Sequence, residues 1–197
     1  EFLNLKNIVR HILNTSSEIK LIQVSTDQVY DSNNSDEDNI KIVNYYALTK
    51  LLADEFSQLV EAAVLRTNFF GQSVVNKKSF SDWAIEHLKN DVVINGFNDI
   101  FFTPLHITTL CREIERVITE FKPGIYNLGS RNGMSKFDFI VNLARHKGYG
   151  SENIRSVHYK DSIIKTPRPL DMRMNIEKYE NTYNVTLPEL SQEIRKC

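Results

Sequence analysis

The sequence has no excess of positive charge and no long apolar run. Its 24 Lys and Arg residues are balanced by 25 Asp and Glu, so little positive surface is available to hold a nucleic-acid backbone or an anionic membrane. No stretch approaches the roughly 18 apolar residues of a membrane span, and the first residues do not have the pattern of a signal peptide. We therefore expect neither nucleic acid nor a membrane as a partner.

Cysteine, histidine and glycine are also sparse or scattered. The two cysteines, Cys111 and Cys197, lie far apart, which disfavours a disulfide framework and favours a reducing, cytoplasmic location. The five histidines show neither paired ligand spacing nor a nucleophile triad, so we expect no metal site. None of the seven glycines forms the G-x-G-x-x-G turn that cradles a dinucleotide pyrophosphate.

Apolar periodicity predicts alternating helices and strands over the first 72 residues. A helix begins near Phe2 and is interrupted at Asn14 to Ser17. The segments that follow are a buried strand (KLIQVST), a polar loop (DSNNSDEDNI), a helix (NYYALTKLLADEFSQLVE) and a second buried strand (AAVLRTNFFG). This order favours a parallel sheet with crossover connections.

Beyond Gly71 the pattern is more mixed. Helices are predicted for SFSDWAIEHLKN, for the end of FFTPLHITTLCREIERVITEF and from Ser135 to His146, and strands for DVVING and GIYNLGS. The tail from Thr166 contains three of the five prolines and is predicted to be an ordered loop before one closing helix.

Two short motifs carry the chemistry of the first half. Tyr46 and Lys50 are four residues apart on a predicted helix, which puts phenol and ammonium on one face. Ser25, Thr26 and Asp27 follow a predicted parallel strand, at the edge where ligands bind in open α/β sheets. The alternatives are a solvated helix face for the first motif and a helix or turn cap for the second.

Together the two motifs suggest carbonyl reduction. A carbonyl that accepts a hydride needs a proton for its oxygen, and a tyrosine provides one when a nearby ammonium stabilises the phenolate. Lys50 is positioned for that role, and the Thr26 hydroxyl could donate a second hydrogen bond to the developing oxyanion.

The motifs also resemble those of a known family. VSTDQVYD, NYYALTKLLADE and VLRTNFFG resemble the extended short-chain dehydrogenases, and within them the dTDP-4-dehydrorhamnose reductase group. TPLHITTLC, GIYNLGSRNGMSKFDFIVNLA and the tail from Thr166 continue the likeness. The resemblance implies an α/β fold with a Rossmann-like parallel sheet and a small C-terminal substrate-binding lobe. Residues 1–72 would be the C-terminal part of the dinucleotide-binding domain, and residues 73–197 mainly the lobe, with 124–130 returning to the sheet.

The same resemblance implies NADPH- or NADH-dependent reduction of a 4-keto nucleotide sugar. It assigns Tyr46 as proton donor, Lys50 to the nicotinamide ribose and Thr26 to the keto oxygen, with Ser25 and Thr67 beside the cofactor. The implied substrate-binding residues are Asp27, Asn68, Phe69, Phe70, Thr103, Pro104 and Arg168. For the two phenylalanines core packing is an equal alternative, and for Arg168 a diphosphate clamp competes with a structural salt bridge.

Other activities of the superfamily stay open to different degrees. Related 4,6-dehydratases carry Asp-Glu after the threonine, whereas Gln28 stands here and an amide cannot exchange a proton, so dehydration is disfavoured. A nucleotide-sugar epimerase is the nearer alternative, although epimerases usually have a serine-rich run at this point. A non-catalytic binding or regulatory module of the same fold is the third.

The resemblance further implies a preceding βαβαβ block of about 60 to 100 residues, which this sequence does not contain. A fragment, one half of a split gene and a natural non-catalytic form would each account for that, and we favour a fragment. We expect this chain alone to bind the nicotinamide cofactor weakly or not at all, and micromolar NADPH affinity would contradict that. An unpaired sheet edge would also favour a homodimer.

Overall fold

The computed structural model describes residues 2–15, 18–74, 78–162 and 166–197. The helices are α1 (Phe2–Thr15), α2 (Tyr45–Ser57), α3 (Phe80–Lys89), α4 (Ile107–Thr119), α5 (Lys136–Lys147), α6 (Glu177–Tyr183) and α7 (Leu190–Ile194). The strands are β1 (Leu21–Val24), β2 (Ala62–Thr67), β3 (Phe69–Phe70), β4 (Ile94–Phe97), β5 (Phe101–Phe102), β6 (Leu105–His106), β7 (Gly124–Leu128), β8 (Met134–Ser135), β9 (Ile154–Val157) and β10 (Asp171–Met172).

The main sheet consists of three parallel strands in the order β1, β2, β7. All six residues of β2 are buried, as expected for a central strand with both faces covered. Val24 pairs with Leu65, and Thr67 pairs with Leu128, so the carboxyl ends of the three strands lie at one edge. The predicted Rossmann-like parallel sheet is confirmed, and this edge positions the candidate site.

Two large hydrophobic clusters hold the chain together. The first joins the main sheet to α4 and α6 and includes Leu65, Leu128 and Tyr179. The second joins α3, α5 and α7 to the paired strands β4 and β9. Leu187 belongs to the first cluster and Leu190 to the second, so the tail of the chain contributes to both. The division into residues 1–72 and 73–197 stays a prediction.

The second predicted strand was wrong in its extent. It was expected to run through Phe70, but β2 ends at Thr67 and β3 pairs with β6 instead of continuing in the main sheet. The chain turns at Asn68, whose backbone oxygen accepts from Leu105 N at 2.9 Å and whose side chain donates to Asp27 Oδ2 at 2.7 Å. This turn removes Phe69 and Phe70 from the main sheet.

Three helix boundaries also differ from the prediction. α2 ends at Ser57, four residues early; the chain then forms turns, in which Val60 N donates to Ser57 O, and Val60 packs against the small cluster between α1 and α2. The single closing helix is two helices, because Asn184 adopts a left-handed conformation with φ of 50°. α1 continues to Thr15, and Ser16 and Ser17 of the predicted break lie outside the described residues.

Candidate active site

Helix α2 carries Tyr46 and Lys50 to the carboxyl end of β1. Asn44 caps the helix, since its Oδ1 accepts a hydrogen bond from Ala47 N at 2.8 Å. Lys50 is buried and its Nζ donates to Val24 O, the last residue of β1, at 3.1 Å. Tyr46 is 48% exposed. The helix therefore holds an ammonium at the sheet edge and leaves the phenol one turn away open to a ligand.

Thr26 lies two residues after Val24, whose backbone oxygen accepts the Lys50 hydrogen bond. It is buried, and its Oγ1 accepts from Gln28 N at 3.2 Å as the cap of a short 3₁₀ helix, Asp27–Val29. The capping interaction that the sequence left as an alternative is therefore present. The Thr26 hydroxyl also lies 3.5 Å from Asp27 Oδ1, a long contact that leaves its proton available to a better acceptor.

Two adjacent cavities form the candidate site. The first opens beside Tyr46 and has a volume of about 690 Å³. It is lined by Gln28, Ile42, Val43, Asn44, Tyr45, Tyr46, Leu48, Thr166, Pro167 and Arg168. The exposed Arg168 is the residue predicted to clamp a diphosphate. Gln28 follows Thr26 by two residues, so a wall of this cavity continues directly from the Ser25 to Asp27 segment.

The second cavity has a volume of about 310 Å³ and shares Gln28 and Arg168 with the first. Its aromatic walls are Phe80, Trp83 and Phe97. Its other lining residues are Asn68, Asn95, Gly96, Ile100, Lys136, Ile140, Pro169 and Met172. Both volumes fall in the range of small-molecule sites, about 300 to 1,000 Å³, and the shared walls make the cavities adjacent.

Asp27 and Lys136 are oppositely charged groups with little water around them. Burial raises the pKa of Asp27 to about 6, against the hydrogen bond from Asn68 and the attraction of Lys136. Burial lowers the pKa of Lys136 to about 8; Asp27 opposes this shift and Arg168 adds to it. The Lys136 ammonium also lies 3.4 Å from the centre of the Phe102 ring.

Sequence reasoning missed Lys136, although one signal was present. Lys136 is the first residue of α5, after its cap Ser135. A cation is unfavourable at that end of a helix because of the helix dipole. A lysine at this position therefore indicates a compensating interaction, and the structure shows one with Asp27 at the wall of the second cavity.

The remaining predicted residues fall in three places. Ser25 and Thr67 are buried at the carboxyl ends of β1 and β2. Ser25 directly follows Val24, whose backbone oxygen accepts a hydrogen bond from Lys50. Phe70 packs in the core, edge to face with Phe139 at 4.9 Å, while Phe69 is half exposed and neither ring lines the two cavities.

Thr103 and Pro104 are buried and are not brought to Tyr46. Thr103 instead lines a separate polar cavity that it shares with Arg131 and Arg173. Their predicted contacts with substrate stay predictions.

A buried hydrogen-bond network joins α2 to the main sheet through Asp54 and Arg66. Arg66 in β2 donates from Nε to Asp54 Oδ2 at 2.9 Å and from Nη1 to Tyr30 Oη at 2.9 Å. It also donates to Glu37 O at 2.7 Å. Burial raises the pKa of Tyr30 to about 12, so this phenol stays neutral and donates to Asn127 Oδ1.

The described residues lack two kinds of feature, a metal-binding cluster and a membrane-spanning helix. They contain no group of three or more His, Cys, Asp and Glu side chains arranged to hold a metal ion. In the part of the chain that the structure covers, no helix has both the length and the apolar character needed to cross a membrane.

Comparison with known proteins identifies relatives of this arrangement. A family model described as the RmlD substrate binding domain matches residues 6–197. A dTDP-4-dehydrorhamnose reductase from Clostridium acetobutylicum has a TM-score of 0.86 and 22% identity, over 98% of this chain and 69% of its own. The enzymes of the same description from Bacillus anthracis, in complex with NADP, and Yersinia enterocolitica give TM-scores of 0.88 and 0.86, each at 18% identity and with the same coverage. No curated protein sequence matches.

Proposed function

Because the chain belongs to the RmlD substrate binding domain family, we propose that it serves in the NADPH- or NADH-dependent reduction of a 4-keto nucleotide sugar. The structural relatives described as dTDP-4-dehydrorhamnose reductases support the same activity. One observation carries the proposal: the Lys50 ammonium contacts the end of β1, while Tyr46, one turn before it, lines a cavity whose wall continues from Thr26.

The proton chemistry belongs to these three residues. The phenol of Tyr46 transfers its proton to the keto oxygen as the carbon is reduced, and the alcohol forms. Lys50 stabilises the resulting phenolate by Coulomb attraction across one helical turn. The Thr26 hydroxyl exchanges its long contact with Asp27 for a hydrogen bond to the same oxygen, which stabilises the charge that develops there.

The residues at the sheet edge fit a nicotinamide nucleotide. When bound, that cofactor supplies the hydride. The Lys50 ammonium lies at the end of β1, and ribose hydroxyls are suitable acceptors for an ammonium N–H. The hydroxyls of Ser25 and Thr67 lie at the same edge and suit the polar groups around the nicotinamide ring. The Bacillus anthracis relative, in complex with NADP, supports this assignment.

The charged residues of the cavities fit the nucleotide part of the substrate. Arg168 lies where the two cavities meet, and Lys136 lines the second, so two cations are available to a diphosphate. Asn68 offers an amide at the same wall. The aromatic residues of the second cavity present flat apolar surfaces, which suit a nucleobase.

The test measures NADPH oxidation by the full-length protein with a dTDP-4-keto-6-deoxy sugar, and identifies the 4-hydroxy product by mass spectrometry. Tyr46→Phe removes the proton donor, so we expect its rate to fall about 100-fold or more. Tyr149→Phe is the matched control, because Tyr149 follows α5 and lines neither cavity, and its rate should be unchanged.

Equal rates for wild type and Tyr46→Phe would remove Tyr46 from the reaction. A wild-type protein that binds the nucleotide sugar but never oxidises NADPH would overturn the reductase and favour a non-catalytic module. Formation of an epimer without net oxidation of NADPH would favour the epimerase.

A further inference from the structure

The orientation of the Asn44 side chain is fixed by two backbone groups. Its Oδ1 accepts from Ala47 N at 2.8 Å, and its Nδ2 donates to Pro167 O at 3.1 Å. A backbone N–H can only donate and a carbonyl can only accept, so the amide cannot be reversed without losing both bonds. Asn44 therefore presents N–H groups toward the loop that carries Arg168.

The second N–H of Asn44 favours one orientation of the Gln28 amide. Asn44 Nδ2 also donates to Gln28 Oε1, at 3.4 Å. With its oxygen used in this way, Gln28 leaves Nε2 as the free end of its amide, and among the described residues no protein acceptor pairs with that nitrogen. Gln28 lines both cavities, so a hydrogen-bond donor faces the place where they meet.

We propose that Gln28 is a substrate-binding residue whose side-chain N–H donates to an oxygen of the sugar, and that Asn44 is the positioning residue that sets this polarity. The inference rests on the proposed function and adds a determinant of sugar specificity to it. The neutral amide of Gln28 suits a hydroxyl or ring oxygen of the sugar. The diphosphate would instead bind the charged Arg168, which lines the same two cavities.

The backbone supports this assignment to the sugar. Gln28 N is bound to Thr26 Oγ1 at 3.2 Å, so Gln28 is held two residues from the hydroxyl proposed to contact the keto oxygen. Its side chain therefore starts near the reacting carbon and ends at the cavity junction. A hydrogen bond from this position constrains the substituents next to the keto group.

The experiment measures the affinity of the full-length protein for dTDP and for a stable dTDP-hexose by calorimetry. Gln28→Met removes the donor and keeps the length of the side chain, so affinity for the dTDP-hexose should fall about 10-fold. Affinity for dTDP should change less than about twofold, because dTDP lacks the sugar. Gln58→Met, at an exposed glutamine after α2, is the matched control and should change neither affinity.

Asn44→Asp tests the positioning role without altering Gln28. The new carboxylate still caps α2, but it has no N–H and turns the Gln28 amide so that an oxygen faces the cavities. We expect a loss of dTDP-hexose affinity similar to that of Gln28→Met, and no further loss in the double variant. Additive losses would overturn the role of Asn44.

An unchanged dTDP-hexose affinity in Gln28→Met, or an equal loss for dTDP, would overturn the contact with the sugar. These binding results do not depend on turnover. If the protein fails to oxidise NADPH but Gln28→Met still lowers its affinity for the dTDP-hexose, the reductase proposal is overturned and the role of Gln28 is supported.

Discussion

Asp54 accepts a 2.9 Å hydrogen bond from Arg66, and the two side chains form an ion pair that is 0% and 1% exposed. Asp54 lies one turn after Lys50 on α2, and Arg66 lies in the central strand β2. The pair therefore fastens the Lys50 face of the helix to the sheet. Because both charges are buried, neither can lose its partner without leaving the other in an apolar environment.

Asp54→Ala should destabilise the fold strongly. The remaining Arg66 charge would stay buried without its carboxylate, a change that costs about 3 to 5 kcal/mol. Urea unfolding followed by circular dichroism measures the loss. Glu55→Ala, at the exposed neighbouring residue, is the control and should change the free energy of unfolding by less than about 0.5 kcal/mol. Similar losses in the two variants would contradict the role of the ion pair.

Asp27 should make the stability depend on pH between about 4 and 6. Its folded pKa of about 6 is above the unfolded value of 3.8, so the folded protein holds a proton that the unfolded chain releases. The contribution of Asp27 to the free energy of unfolding should therefore be highest below pH 4 and fall by up to about 3 kcal/mol as the pH rises to 6.

Asp27→Asn should remove this decrease, because an amide does not titrate in that range. Asp38→Asn, at an exposed position, is the control and should keep it. Urea titrations at several pH values measure both. A variant of Asp27 with the same pH slope as the wild type would show that another group is responsible.

Lys136 should contribute to nucleotide affinity in a pH-dependent way. Its pKa is lowered to about 8, so its charge and the attraction for a diphosphate decrease as the pH rises through that value. Lys136→Met should lower the affinity for dTDP about 10-fold at pH 7 and remove the decrease around pH 8. Calorimetry measures both effects, and Lys147→Met, at the exposed end of the same helix, should leave them unchanged.

Lys50→Met should lower the rate of hydride transfer more than the binding of substrate. The phenolate of Tyr46 loses its nearby positive charge, so the rate should fall about 100-fold or more. The affinity for a dTDP-hexose should change little, since Lys50 does not line either cavity. Stopped-flow measurement of NADPH oxidation separates these effects, and Lys6→Met on α1 is an exposed control. A large loss of dTDP-hexose affinity would contradict this assignment.

Local sequence patterns were sufficient to predict the main sheet and α2. The strands around Ile22 and Val64 have apolar runs, and α2 has a clear helical period with Asn44 at its start. The prediction that both strands are buried was wrong for β1, which is half-buried from Leu21 to Gln23 and exposed at Val24, whereas the central β2 is buried throughout. The break between β2 and β3 was not predictable in this way. It depends on the contact between Asn68 and Asp27, residues that are 41 positions apart in the sequence.

The candidate site was only partly predictable for the same reason. Ser25, Thr26, Tyr46 and Lys50 belong to short local motifs that can be recognised in one segment. Lys136 and Asp27 lie far apart in the sequence, on α5 and after β1, and interact only through the tertiary fold. The sequence identified Gln28 as an amide that cannot exchange a proton. The orientation of that amide depends on Asn44, which also donates to Pro167 O in a distant segment.

The tail of the chain has a consequence for how the protein unfolds. Leu187 and Leu190, three residues apart, belong to different hydrophobic clusters, and Glu193 accepts a 2.7 Å hydrogen bond from His106 N at the start of α4. Releasing these last helices exposes both clusters to water at once. We therefore expect the two clusters to melt in a single cooperative transition, and this cooperativity to be lost when the tail is cut away.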